Sequence, residues 1–348
     1  MPSISVNYVT ARPTRGSMIG IEGKHLLEPT LKSLKEQTFK NFEFVCVDIL
    51  YEKRPDMLEE FELPFPFKHV SAKPDWWLEK GLWSGAAPRN KGIAVADDDV
   101  ELIVVLDDCC EFGSDFLQQF WNWYQRGYFA MALTLYNMGG KPLYYDNESK
   151  KQIVEAQVKD LKEGYSESLD KVHNKGERFR DSRWTFVERS EGIFYPPPQM
   201  YYGYSSVSME AILKVNGYDE KLDGDKSLID VDLGLRLAQA GYNQFVLDEK
   251  LTVTENAHHG IPSEILFWDG GVIKSNYNIM NLNQRKNRWK ANSYVFTLEE
   301  ADWIRTFRDP LERHLPVWEP SSRQYNLFME WIEKHQRVFD LRELRLLE

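Results

Sequence analysis

The residues in this sequence best suited to chemistry are carboxylates at the ends of apolar runs. The segment Glu101-Leu102-Ile103-Val104-Val105-Leu106-Asp107-Asp108-Cys109-Cys110 reads as a buried strand that stops abruptly in two acids. Adjacent carboxylates repel unless something cationic holds both ionised. A hard divalent ion meets that need, because Mg²⁺ or Mn²⁺ takes one or two protein carboxylates and fills its shell with phosphate oxygens and water. Helix capping is the competing use of such acids. A second acidic segment, Ser227-Leu228-Ile229-Asp230-Val231-Asp232-Leu233, opens a helical pattern. Asp230 is placed as its N-cap, either as a plain cap or as a general base at a helix start.

These groups need a scaffold, and the first hundred residues supply one. Apolar runs at Ile4–Val9, Phe42–Val47 and Leu102–Leu106 alternate with helix-like segments at Leu26–Gln37 and Arg89–Ala96. That is the rhythm of β-α-β units and a mostly parallel sheet. Ligands of such sheets collect beyond the carboxyl ends of the strands, where Asp48 and Asp107 stand. A further strand is expected over Phe129–Tyr136, followed by a polar insertion over 140–195 that is either a solvated surface segment or a lid. Val231–Ala240 reads as an amphipathic helix closed by Gly241, with strands at Gln244–Leu247 and Thr252–Thr254 after it. Near the end, Phe328, Trp331, Ile332, His335, Val338 and Phe339 recur at helical spacing, a stripe expected to pack on the core, with dimer contact as the alternative.

Composition narrows the function classes. A net charge of −11 disfavours a nucleic-acid backbone as direct partner. Three cysteines, two of them adjacent, form no disulfide framework, so a reducing, cytoplasmic setting is expected. No apolar run is long enough to span a bilayer. Aromatic content of 14% supplies rings for sugar stacking as well as for packing, and Trp76, Trp77 and Trp83 fall in a loop-like stretch where either use fits.

The order of the motifs resembles family-2 glycosyltransferases of the GT-A fold over about residues 3–260. Leu31–Thr38 followed by Phe42–Asp48 resembles that family's first helix and second strand. Arg89-Asn90-Lys91-Gly92-Ile93 is similar to its Arg-Asn-x-Gly-Ile segment, and Asn216–Glu220, Asp230–Leu237 and Gly241-Tyr242 to its acceptor-side block. The resemblance implies an α/β, GT-A (Rossmann-like) mostly parallel central sheet flanked by helices. With no internal repeat and no Gly/Ser linker in the chain, one catalytic domain at 1–290, including the 140–195 insertion, and a C-terminal helical extension at 291–348 are expected. The resemblance also implies a nucleotide-sugar donor (UDP-, GDP- or dTDP-linked) contacted by Thr10, Arg12, Asp48, Arg89 and Asp107. Asp107, Asp108 and His258 of the His258-His259 pair would hold Mg²⁺ or Mn²⁺. Asp230 would deprotonate a carbohydrate or other hydroxyl-bearing acceptor, with inversion at the anomeric carbon.

Two positions depart from the pattern. Cys109 stands where the second Asp of the Asp-x-Asp triplet is expected, and Ile229 where a Glu precedes the base. A thiol is a poor ligand for a hard ion, so Cys109→Asp is expected to keep or raise activity. The same departures fit a non-catalytic sugar- or nucleotide-binding protein on a degenerate scaffold. A basic cluster at Asn283–Lys290 has the charge to grip a leaving diphosphate, or is a solvated face.

Overall fold

The structure is a computed structural model that describes residues 2–11, 27–82, 84–137, 178–225, 228–256, 274–307 and 320–347. Its centre is a single mixed sheet. Strands β1 (Ile4–Thr10), β2 (Phe42–Asp48), β3 (Phe67–Ser71) and β4 (Leu102–Leu106) pair in parallel. The sheet continues through β5 (Cys110–Phe112), β6 (Phe129–Asn137), β7 (Arg178–Arg180), β8 (Ile193–Phe194), β9 (Ser205–Ser208) and β10 (Phe245–Asn256), in the path order β3-β2-β1-β4-β9-β6-β10-β5. The antiparallel β9 lies between β4 and β6. Both faces of the parallel half are covered, which is why β4 is apolar without alternation and β2, apolar but for Glu43 and Asp48, is likewise buried along its whole length.

The helices in chain order are α1 (Glu28–Lys35), α2 (Trp76–Glu79), α3 (Ala86–Val95), α4 (Phe116–Gln125), α5 (Trp184–Arg189) and α6 (Met209–Lys214). After them come α7 (Ile229–Gln239), α8 (Asn276–Arg285), α9 (Leu298–Thr306), α10 (Ser322–Lys334) and α11 (Leu341–Arg345). One apolar cluster on each side of the sheet forms the core.

Several expectations change. Gln244–Leu247 and Thr252–Thr254 are one strand, β10, with a register shift between Leu247 and Thr252. Asp248 sits in that irregularity and accepts from Trp123 Nε1 at 3.0 Å and Lys250 N at 3.0 Å, so polar residues interrupt the apolar run without ending the strand. The insertion does not close at residue 195 as a separate cover, since 178–194 contributes β7, α5 and β8 to the sheet and its flank; residues 138–177 lie outside the described residues. Trp76 and Trp77 are not sugar platforms. They form a short helix capped by Asp75, are 6% and 1% exposed, and Trp77 packs on Trp331 at 5.3 Å. Trp83 lies outside the described residues.

The C-terminal stripe packs inward as expected for Phe328, Trp331 and Ile332, whereas the helix ends at Lys334 and Val338 is 58% exposed. The Asn216-Gly217 turn ties this extension to the core. Asn216 Nδ2 donates to the carbonyls of Ala291 at 2.6 Å and Phe339 at 2.8 Å, while its Oδ1 accepts from Leu341 N at 2.6 Å. Among the described residues no helix is long and apolar enough to cross a membrane.

Candidate functional site

Helix α3 carries the first site residue, and nearly every position in its motif has a separate structural task. Gly92 lies so close to β1 that a Cβ there would stand 2.2 Å from Asn7 Oδ1, and Asn7 Nδ2 donates to the Arg89 carbonyl at 2.8 Å. Asn90 donates to the Tyr218 carbonyl at 2.9 Å and accepts from Tyr218 N at 2.8 Å. A buried carboxylate, Asp223, closes the helix start by accepting the backbone N–H groups of Gly85, Ala86 and Ala87 at 2.8, 2.8 and 2.9 Å. Burial, with the charges of Asp75 and Glu220, pushes the Asp223 carboxyl up to about 7. Its capping role has no signal in the chain, because cap and helix are more than a hundred residues apart.

So fixed, Arg89 reaches Asp107 beyond the end of β4, Nη2 to Oδ1 at 2.9 Å. The guanidinium lies over the Tyr218 ring at 5.5 Å. Burial alone would lower its affinity for a proton, but the facing carboxylates of Asp230 and Asp107 raise it above the usual value. Asp107 keeps 47% of its side chain exposed, so it is open to a ligand from the solvent side.

Asp230 is not an N-cap. That position is Leu228, at φ +66°, and Asp230 belongs to the first turn of α7. Its Oδ1, although buried, has no hydrogen-bond partner among the described residues. Burial raises its pKa; Arg89 opposes the rise, and the charge of Asp107 adds to it. An unpartnered, partly desolvated carboxylate oxygen next to a cation is the chemistry of a poised base. Asp232 is different in kind: fully buried, it pairs with Arg236 Nε at 2.6 Å, and Arg236 Nη1 donates to the Gly217 carbonyl at 2.9 Å.

The remaining candidates divide. Thr10 and Asp48 are brought together as register partners at the ends of β1 and β2. Asp48 is 0% exposed and is gripped by Arg54, Nε to Oδ2 at 2.6 Å and Nη2 to Oδ1 at 2.7 Å, and by His69 at 3.2 Å. Burial would raise its pKa, but these bonds hold it below the ordinary carboxylate value. Asp108 follows Asp107 in the turn before β5. Arg12, His258 and His259 lie outside the described residues. The basic cluster turns back on the protein: Arg288 pairs with Glu300 at 2.7 Å, Lys290 with Asp340 at 3.0 Å, and Arg285 lies over Phe307 at 4.7 Å.

Cys109 occupies the triplet position in sequence only. It is 0% exposed, with φ +65°, and lies near the Tyr8 hydroxyl, so its side chain is inside the protein. The expectation for Cys109→Asp therefore reverses. A carboxyl placed there is desolvated and is expected to cost about 1–3 kcal/mol even when protonated. Thermal unfolding should show a lower midpoint with no gain in activity; an unchanged midpoint with raised turnover would contradict the burial argument.

Residues 21–182 match the family model described as glycosyl transferase family 2. The chain has the GT-A fold of family-2-like glycosyltransferases. The matched segment of this GT-A chain holds Asp48, Arg89, Asp107 and Asp108, whereas Asp230 lies beyond it. Among solved structures, Staphylococcus aureus TarS 1–349 in complex with UDP-GlcNAc is similar with a TM-score of 0.50 and 14% identity, over 90% of this chain and 72% of that one. Another structure of S. aureus TarS 1–349 gives 0.44 and 14%, over 73% and 60%. The chain thus spans only 60% of the length of the latter neighbour. At such identities the likeness speaks for the GT-A fold alone. No curated protein matches the sequence.

Proposed function

We propose that this chain moves a sugar from a nucleotide-sugar donor to an acceptor hydroxyl, with inversion at the anomeric carbon. The observation that carries the reading is the convergence of Asp107, Arg89 and Asp230, with Asp230 Oδ1 buried and unpartnered. A spent scaffold has no reason to keep a desolvated carboxylate oxygen without a bond, since such an atom costs stability. The acceptor hydroxyl would supply the missing hydrogen bond. Asp230 would then take its proton as the oxygen attacks the anomeric carbon, on the face opposite the departing nucleoside diphosphate. Arg89, held at the ends of β4 and α3, would face the charge that develops on the leaving group.

A divalent ion fits this site in a restricted sense. Among the described residues no group of three or more His, Cys, Asp or Glu side chains is arranged to hold a metal. The hard oxygens of Asp107 and Asp108 are nonetheless the protein's share of an ion that also binds diphosphate. Bound there, Mg²⁺ or Mn²⁺ would neutralise that diphosphate. Calorimetry with UDP, GDP and dTDP is expected to show weaker binding in EDTA than in Mn²⁺; equal affinity would remove the metal. The donor base is open, and UDP-GlcNAc, carried by the TarS structure, is the first donor to test. Nucleoside diphosphate release from a panel of UDP-, GDP- and dTDP-sugars tests the function, and binding without turnover of any would mark a sugar- or nucleotide-binding protein.

A further inference from the structure

The proposed transfer uses the ends of β4 and α7; the end of β2, beside Thr10, has its own set of buried charges. Asp48 is 0% exposed there. Its Oδ1 accepts from Leu50 N at 2.8 Å and from Arg54 Nη2 at 2.7 Å. Its Oδ2 accepts from Arg54 Nε at 2.6 Å and stands 3.2 Å from His69 Nε2. An ionised carboxylate only accepts, so Nε2 is the donor in that last pair. Each oxygen offers about two lone-pair sites, and these four donors take them all. Burial would raise the Asp48 pKa, yet the His69 and Arg54 bonds hold it below the ordinary value, so the group is ionised without help from a ligand.

Uracil and thymine present a ring N–H at N3, and guanine at N1. Asp48 has no lone pair left for such a donor, and no exposed surface through which to be reached. What its bonds fix is the turn that follows β2. Leu50 N and the Arg54 side chain come from opposite ends of that turn, and the Pro55 carbonyl meets His69 Nδ1, from β3, at 2.9 Å. Within it, Lys53 N donates to the Leu50 carbonyl and Arg54 N to the Tyr51 carbonyl, each at 2.9 Å. Ile49 N ties the start of the turn to the Thr10 carbonyl at the end of β1, also at 2.9 Å. The aromatic side chain that the turn carries is Tyr51, half-buried and set edge-on against His69 with ring centroids 4.9 Å apart.

We propose that Asp48 is a positioning residue and not a ligand of the base: by gripping Arg54 and His69 it pins the 49–55 turn, so that Tyr51 offers its ring to the base of the donor. This rests on the reading of the chain as a nucleotide-sugar enzyme. A ring face accepts any base, because stacking does not read hydrogen-bond edges. The Arg54 fork suits the pinning role, since it meets both carboxylate oxygens at once, which a lysine cannot do.

The test measures the affinity of the parent, Arg54→Gln, Arg54→Lys, Asp48→Asn and Tyr51→Ala for UDP, GDP and dTDP, well below each protein's unfolding midpoint. Donor KM and kcat are taken with the sugar-nucleotide panel. Arg54→Gln separates the two roles of Asp48, because it frees carboxylate lone pairs and unpins the turn. It should weaken the tightest of the three nucleotides by about tenfold, the scale of one stacked base, and Tyr51→Ala should do the same. Asp48→Asn should lose about as much, and the Asp48→Asn/Arg54→Gln double variant little more, since both break one link. Donor KM should rise by a similar factor and kcat change far less, because Arg89, Asp107 and Asp230 stay in place. Arg54→Lys keeps the charge without the fork and should fall between the parent and Arg54→Gln. Parental or raised affinity in Arg54→Gln overturns the proposal, since the freed carboxylate would then serve the base; parental affinity in Tyr51→Ala overturns it too. Should Arg54→Gln not fold, Arg54→Lys decides: weaker nucleotide binding supports the role, and parental or stronger binding refutes it. If none of the three nucleotides binds the parent, the nucleotide-sugar reading and this proposal fall together. A parent that binds, beside Arg54→Gln and Tyr51→Ala that bind equally well, removes this proposal alone.

Discussion

Asp230→Asn is expected to lower sugar transfer by about 10²–10⁴-fold while leaving the fold and donor binding intact, the usual contribution of a general base. The substitution keeps size and one acceptor oxygen, but the amide cannot take a proton. Its surroundings also fix the pH dependence. Burial raises the Asp230 pKa, and the base works only when ionised, so turnover should climb with pH through a limb above the ordinary carboxylate value of about 4 and flatten beyond it. That limb should vanish in Asp230→Asn. An amide variant with parental turnover would place the base elsewhere.

Asp232→Ala, two residues on, is expected to act on stability instead. Asp232 and Arg236 are both 0% exposed and bonded at 2.6 Å, one turn apart. Removing the carboxylate leaves the Arg236 guanidinium buried without its counter-charge, a loss of about 3–5 kcal/mol in pairs of this kind. Chemical denaturation should show this loss, and the surviving folded fraction should keep its turnover per molecule within a few-fold. The two aspartates share a helix and a spacing of two, so side-chain direction alone separates their roles. A stable but inactive Asp232→Ala would reverse the register, with Asp232 facing the acceptor.

How much of this was legible in the sequence follows from how local each cause is. The parallel half of the sheet could be read because β1, β2 and β4 are short apolar runs with helix patterns between them, buried on both faces. Strand β9 could not, since Ser205-Ser206-Val207-Ser208 is buried with little apolar character and owes its place to partners on both sides. Helix α3 was placed by its motif, yet the carboxylate that caps it comes from Asp223, far along the chain. Among the site residues, Arg89, Asp107 and Asp230 stand in motifs and converge in space. Cys109 misled, because its place in a triplet says nothing about which way a left-handed residue points its side chain.

The most direct measurement is a ¹H NMR time course of the anomeric proton, run on whichever panel donor releases its nucleoside diphosphate, with the parent chain and with Asp230→Asn. The account predicts that the donor signal decays with the parent, that the first product carries the opposite anomeric configuration, and that Asp230→Asn leaves the donor essentially intact. A product that forms with the donor's own configuration, or equal decay with both proteins, would contradict it.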